Sequence, residues 1–217
     1  MPASVAILGG TGKEGRGLAM RWSRAGRTIV LGSRDAERAA VAAEEVAAAS
    51  GGPVRGMANG DACEAADLVV VATTFDGLED TMRACAAKLE GKLLVSAVIP
   101  LKVEEGRFGV IPVPQGSAAQ LAATLAPGAR VAAAFHNVSH KLLADLDHAI
   151  DEDIPFAASD EDAATVGRLC ADIGARGVHV GGLHLAPFLE GYTAVLLSVN
   201  RRYRTQAGIR LTGLPNL

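Results

Sequence analysis

Short, unbroken apolar runs separated by longer amphipathic or alanine-rich stretches set the rhythm of the chain. Val5–Leu8, Thr28–Leu31, Leu68–Val71, Leu93–Val95 and Arg130–Phe135 are mostly continuous rather than alternating, as parallel strands require when helices cover both faces of their sheet. Helices are predicted between them at roughly 13–25, 35–49, 61–66, 76–89 and 117–126. Gly26, Gly91 and Gly128 stand just beyond three of these segments, where a C-terminal glycine is expected. This strand–helix order predicts an α/β chain with right-handed crossovers.

Beyond about residue 150 the units shorten. Ile154–Ala158 and Val178–Val180 read as strands. Between them Ser159 and Asp162 open a helix that carries Val166, Leu169, Cys170 and Ile173 on one face. Pro187 suits an early helical position, and the stripe Phe188, Tyr192, Val195, Leu196, Val199, Tyr203 follows it. That stripe exceeds what a small core needs, so the helix is expected to cover the sheet or pack on a second subunit. The division predicted is a nucleotide-binding unit over 1–150 and a small unit over 151–217.

Composition narrows the function classes. At 49% apolar and 21% charged, the 217 residues match an ordinary globular protein. A net charge of −3 leaves no basic excess for nucleic acid. Cys63, Cys85 and Cys170 are isolated in sequence, so neither a disulfide framework nor a zinc site is expected, and reduced thiols suit the cytoplasm. No uncharged apolar run reaches the ~18 residues of a membrane span, and no signal peptide is read.

Directly after the first strand stands Gly9-Gly10-Thr11-Gly12-Lys13-Glu14-Gly15. From Gly10 it reads G-x-G-x-x-G, a turn that lets a pyrophosphate approach bare backbone at the start of a helix. A triphosphate-binding loop does not fit, because Glu14 stands where that loop carries its magnesium-binding hydroxyl. An NAD enzyme usually ends its second strand on an acidic residue. Here the strand ends Leu31-Gly32-Ser33-Arg34, with Arg38 one turn on, so a hydroxyl and guanidinium groups can hold the 2′-phosphate of NADP. The alternative is that Arg34 and Arg38 are solvated and Asp35 only caps a helix.

Further candidates lie at the carboxyl ends of the strands, where ligands of such sheets bind. Thr73, Thr74 and Phe75 are placed to cover a ribose, and Val98, Ile99 and Pro100 to form an apolar wall. His136, Asn137 and Val138 follow the run that ends at Phe135. His136 reads either as a general acid–base or as a pocket-shaping residue. No firm catalytic residue and no metal site are read, and no nucleophile has a paired base.

The run Gly9–Ala19, then Val30–Arg34, Asn59 with Asp61-Ala62, Ser96–Pro100, Phe135–Val138, Ala144–Asp147, Leu189–Gly191 and Asn200–Tyr203 together resemble the NADPH:F420 oxidoreductase family. The resemblance implies a Rossmann-type, doubly wound, mostly parallel sheet with a small C-terminal α/β extension, commonly a homodimer. It implies reversible hydride transfer between NADP(H) and the deazaflavin coenzyme F420. It places Thr11, Ser33, Arg34 and Arg38 at the 2′-phosphate, and His136, Val138 and the Val98–Pro100 loop where nicotinamide and deazaflavin stack. Ser139-His140 and His184-Leu185 depart from the family pattern. The other readings are an NADPH-dependent reductase of a small imine, ketone or pterin, and a non-catalytic NADP-binding regulator.

Overall fold

A computed structural model describes residues 3–214 of the chain. Its centre is an eight-stranded sheet in the order β10-β9-β8-β5-β4-β1-β2-β3. Here β1 is Val5–Leu8, β2 Ile29–Ser33, β3 Val54–Ala58, β4 Leu68–Val71, β5 Leu93–Ser96, β8 Arg130–Ala133, β9 Asp153–Ala157 and β10 Arg176–Gly181. The stretch from β3 to β8 is wholly parallel, with Val5 of β1 flanked by Ile29 on one side and Leu68 on the other. The order reverses at β1, the doubly wound arrangement expected.

The strands read as continuous apolar runs because both of their faces are buried. Val5 and Ile7 of β1 point to one side, among Leu18 and Trp22 of α1 (Lys13–Arg24), Val46 of α2 (Ala36–Ser50) and Leu169 of α7 (Asp160–Asp172). Ala6 and Leu8 point to the other, among Ala62 of α3 (Asn59–Ala65), Leu78 and Met82 of α4 (Leu78–Cys85) and Ala118 and Ala122 of α5 (Ala118–Leu125). Trp22 is fully buried. Its indole N–H donates to the Leu169 carbonyl at 2.9 Å, and its ring meets Phe135 edge-on with centroids 5.4 Å apart.

The C-terminal extension grows from this same sheet. β9 runs antiparallel to β8, and β10 runs parallel to β9. Ser159 caps α7 by accepting the Asp162 N–H at 3.2 Å, as its spacing predicted. Buried Asp153 takes a two-pronged Arg176 guanidinium at 2.8 and 2.6 Å and the Leu211 N–H at 2.6 Å, which straps the chain end to β9.

Three elements lie outside the sequence reading. β3 is a half-exposed edge strand interrupted by Gly56, so its apolar signal is weak. A two-stranded hairpin, β6 (Leu101–Glu104) and β7 (Arg107–Val110), follows the strand-end loop after β5. Its turn residues Glu105 and Gly106 both have positive φ, at 48° and 75°, the geometry of tight hairpin turns. The one-turn helix α6 (His140–Ala144) is held by Arg21, which donates to the Leu142, Leu143, Asp145 and His148 carbonyls.

Candidate active site

Close packing requires the glycines of the first turn. A Cβ on Gly10 would come within 2.8 Å of the Ile7 carbonyl oxygen, and one on Gly15 within 2.9 Å of Gly10 Cα. Gly9 adopts φ 77°, a left-handed conformation that side chains disfavour. Gly12 precedes α1 and offers no side chain to cap it. The first N–H groups of that helix and the positive end of its dipole are therefore left for an anion.

Beside this turn lies a cleft of about 240 Å³, lined among others by Thr11, Gly12, Ser33, Arg34, Arg38 and Thr73. Its far wall is pre-set by hydrogen bonds. The buried Ser33 Oγ accepts the Asp35 N–H at 3.2 Å, and the Asp35 carboxylate caps α2 by accepting the Glu37 and Arg38 N–H groups at 3.0 and 3.1 Å. Asp35 therefore caps the helix and at the same time presents Arg34 and Arg38, both exposed, at the cleft.

Ala72 and Thr73 join this cleft to a larger cavity of about 740 Å³ at the ends of β1, β4, β5 and β8. Glu14, Ile99, His136, Asn137, Val138 and Phe108 line it, with Thr193, Leu196, Arg201 and Arg204 around α8 (Ala186–Tyr203). Phe135 enters it at φ 71°, a conformation that is an outlier for a bulky residue. This turn buries the following ring. His136 has no partner at either ring nitrogen among the described residues. Burial draws its pKa down to about 4, against a weaker opposing pull from the Ser96 backbone. An imidazole so placed is neutral at pH 7.

One carboxyl group, that of Glu14, also lines the cavity. Its Oε1 is buried without a partner among the described residues. Glu152, in the loop before β9, accepts from Asn137 Nδ2 at 3.1 Å, and burial raises its pKa to about 7 despite that bond. Glu14 stood among the sequence candidates for its place in the glycine turn. Glu152 did not, because no spacing relates it to Asn137, and only the packing of β9 beside β8 brings the two together.

Several sequence candidates sit elsewhere. Ile99 faces the cavity, but Val98 points into the core against α5 and Pro100 is buried, so the apolar wall is completed by Leu101 and by Phe108 of the hairpin. Phe75 packs against the core under α4, leaving Thr73 and Thr74 at the cleft. Gly10 is buried beneath the turn, where its N–H is engaged by the Ile7 and Gly32 carbonyls, and Lys13 points to solvent. Ser139, where the family pattern differs, caps α6 by accepting the Lys141 N–H and donates to Gln206 Oε1 at 2.6 Å.

α8 reaches the site through two polar side chains. Thr193 donates its hydroxyl to the His136 carbonyl at 2.8 Å. Buried Glu190 accepts the Ala118 and Ala119 N–H groups at 2.8 and 3.0 Å, capping α5. Burial pushes the Glu190 pKa up to about 7 against those bonds. On its outer face Phe188, Tyr192, Val195 and Tyr203 are exposed, Phe188 at 72%. Among the described residues no helix is long and apolar enough to cross a membrane.

Comparison with known proteins places this geometry. The profile of a family described as "NADP oxidoreductase coenzyme F420-dependent" matches residues 4–100. The F420-dependent NADP reductase of Methanothermobacter thermautotrophicus is 37% identical, over 99% of this chain and 97% of its own length. That of Methanocaldococcus jannaschii is 34% identical, over 97% and 98%. Among solved structures, a protein from Arthrobacter sp. FB24 superposes with a TM-score of 0.83 at 23% identity, over 97% of this chain and 99% of that one. A reductive aminase from Aspergillus terreus, solved with NADPH, reaches a TM-score of 0.66 at 19% identity, but this chain spans only 63% of its length.

Proposed function

This chain belongs to the family of NADP oxidoreductases dependent on coenzyme F420, and from that premise we propose how its strand-end groove serves the reaction. The protein is an oxidoreductase that transfers a hydride between NADP(H) and the deazaflavin coenzyme F420. When bound, the two cofactors supply the chemistry themselves, and the chain's task is to hold them stacked and oriented.

The observation that carries the assignment of parts is the continuity of the groove. A smaller cleft with exposed guanidinium groups opens through Thr73 into a larger cavity floored by apolar and neutral side chains. The residues present fit a dinucleotide along it. Gly12 and the uncapped start of α1 would hold the pyrophosphate, while Ser33, Arg34 and Arg38, with Thr11 beside them, would hold the 2′-phosphate. Ile99, His136 and Val138 would flank the nicotinamide and the deazaflavin. Lys141, Arg201 and Arg204 give the larger cavity cationic groups suited to an anionic co-substrate.

We infer that residues 151–217 act as the part that closes this second site. The outward stripe Phe188, Tyr192, Val195, continued by the exposed Val103 and Val110 of the hairpin, is the surface on which two copies would pair. A reducing cytoplasm suits the three buried free thiols.

The deciding experiment follows NADPH absorbance with the purified protein. Oxidation on addition of F420, and not of a small imine, ketone or pterin, is expected. Binding of NADPH without turnover by F420 would instead indicate a nucleotide-binding regulator.

A further inference from the structure

Glu14 is the second residue of α1, and its carboxyl lines the larger cavity but not the cleft beside Arg34. Oε1 is sealed from solvent and has no hydrogen-bond partner among the described residues. A buried acceptor left in that state costs about 1–3 kcal/mol, so Oε1 gains from any donor or positive charge brought into the cavity. The N-terminus of α1 favours the carboxylate. Burial first, and the nearby Glu152 second, disfavour it and push the pKa up to about 8. The group therefore stands close to the point where a single neighbouring charge decides whether it carries a proton.

The two forms of the nicotinamide differ by such a charge, since the ring of NADPH is neutral and that of NADP+ is a pyridinium. We propose that Glu14 reads the redox state of the bound nicotinamide, keeping its proton beside the reduced ring and releasing it to solvent beside the oxidised one. The proposal rests on the reading that this cavity takes the nicotinamide half of the dinucleotide. Its consequence is a linkage between pH and preference. Below the titration range Glu14 is neutral with either ligand and does not discriminate. As pH rises through that range the carboxylate increasingly stabilises NADP+, so the ratio of the NADPH Kd to the NADP+ Kd rises.

The other groups facing this carboxyl separate cleanly from it. His136 and His140, from the segment after β8, have pKa values lowered by burial, so both rings are neutral above pH 6.5. Lys141 of α6, and Arg201 and Arg204 at the end of α8, are the cations that line the cavity with it, while Lys13, its neighbour on α1, points to solvent. Glu152, the carboxyl whose charge raises Glu14, itself titrates lower in the window, at about 7. The 2′-phosphate has its second ionisation near pH 6, but both nucleotides carry it and it cancels in their ratio.

The test is calorimetric titration of wild type, Glu14→Gln and Glu152→Gln with NADP+ and with NADPH between pH 6.5 and 9.5, without F420. For wild type the Kd ratio is expected to change about tenfold, the equivalent of one pKa unit of differential interaction. NADP+ binding near pH 7.5, measured in two buffers of different ionisation enthalpy, is expected to release part of a proton. Glu14→Gln should bind both nucleotides with a ratio independent of pH. Glu152→Gln should keep the change but shift it to lower pH, because the repulsion that holds up Glu14 is gone. A flat wild-type ratio, or a Glu14→Gln ratio that still follows pH, would overturn the proposal. If Glu14→Gln proves unfolded by circular dichroism, an unshifted transition in Glu152→Gln overturns it equally. Failure of the wild type to bind either nucleotide, or to pass a hydride to F420, would instead remove the functional reading beneath it.

Discussion

Glu190→Ala tests whether the C-terminal helix is tied to the nucleotide-binding sheet by the bond that the structure shows. Ala118 and Ala119, the first two residues of α5, are fully buried and donate their N–H groups to the Glu190 carboxyl, with no other partner among the described residues, while the Ser117 hydroxyl accepts the Gln120 N–H. Truncation strands two buried donors at about 1–3 kcal/mol each and removes a favourable charge at a helix start worth about 0.3–1 kcal/mol. Against that, it relieves the burial that pushes the Glu190 pKa up to about 7. A net loss of about 3 kcal/mol follows, which for a chain of this size lowers Tm by roughly 6–12 °C. Differential scanning fluorimetry at pH 7 reads it directly. Glu190→Gln, which keeps one acceptor oxygen, should fall between the two. Because Thr193 is one turn along the same helix and holds the His136 carbonyl, Glu190→Ala should also raise KM for both cofactors. A variant melting within about 1 °C of wild type would show that water, rather than Glu190, satisfies those donors, and the argument would fail.

Arg34→Ala should weaken NADPH binding about tenfold, the low end for a charge-assisted bond because the side chain is exposed. NADH binding should barely change, and equal losses for the two nucleotides would show that Arg34 does not meet the 2′-phosphate. Between pH 6.5 and 8.5 the thermal stability of the free protein should fall. Glu14, Glu152 and Glu190 titrate at about 8, 7 and 7 when folded but near 4.5 otherwise. The folded state then binds more protons than the unfolded one in this interval, and stability declines with rising pH. His136 acts in the opposite sense, an effect that fades as pH rises past 6.5, and Glu152→Gln should flatten the fall; a Tm that holds constant or climbs across the interval contradicts the assignment. Phe188→Asp combined with Tyr192→Asp should convert a dimer to a monomer in sedimentation velocity without changing Tm by more than a few degrees, and an unaltered sedimentation coefficient would exclude that surface.

What the sequence made legible follows from where its physics is local. Strands β1, β2, β4, β5 and β8 announce themselves because a doubly covered sheet needs unbroken apolar runs, and Val5 to Leu8 serve both cores at once. The glycine turn and the Ser33-Arg34 end of β2 are contiguous, so spacing alone brings them together. β3 was hidden because an edge strand need not be apolar, and Arg55 and Gly56 break its run. The hairpin after Pro100 carries an alternating pattern and a Glu-Gly turn, a signal that could have been found. Glu152 was beyond reach, because its meeting with Asn137 depends on the one antiparallel junction in the sheet, between β8 and β9.

The same junction explains why an uncharged histidine ends up at the heart of the groove. After β8 the chain must leave a parallel sheet and return antiparallel as β9, and Phe135 makes the departure at φ 71°. For a non-glycine residue such backbone costs about 1–2 kcal/mol. The cost is offset by complete burial of the Phe135 ring against the edge of Trp22 and by the Thr193 hydroxyl that fastens the next carbonyl. These constraints leave the His136 ring no freedom to reach solvent and hold its pKa at about 4. A ring in that state is neutral at pH 7 and, with its pKa drawn down, a weak base, which favours the reading of His136 as a pocket-shaping residue over that of a general acid–base. Among carboxyls, Glu14 lines the cavity from α1, while Glu152, in the loop before β9, is tied to the Asn137 that lines it. Backbone geometry therefore separates ring from carboxyl: the strained turn fixes a neutral ring, and the start of α1 brings the Glu14 carboxyl to the same cavity.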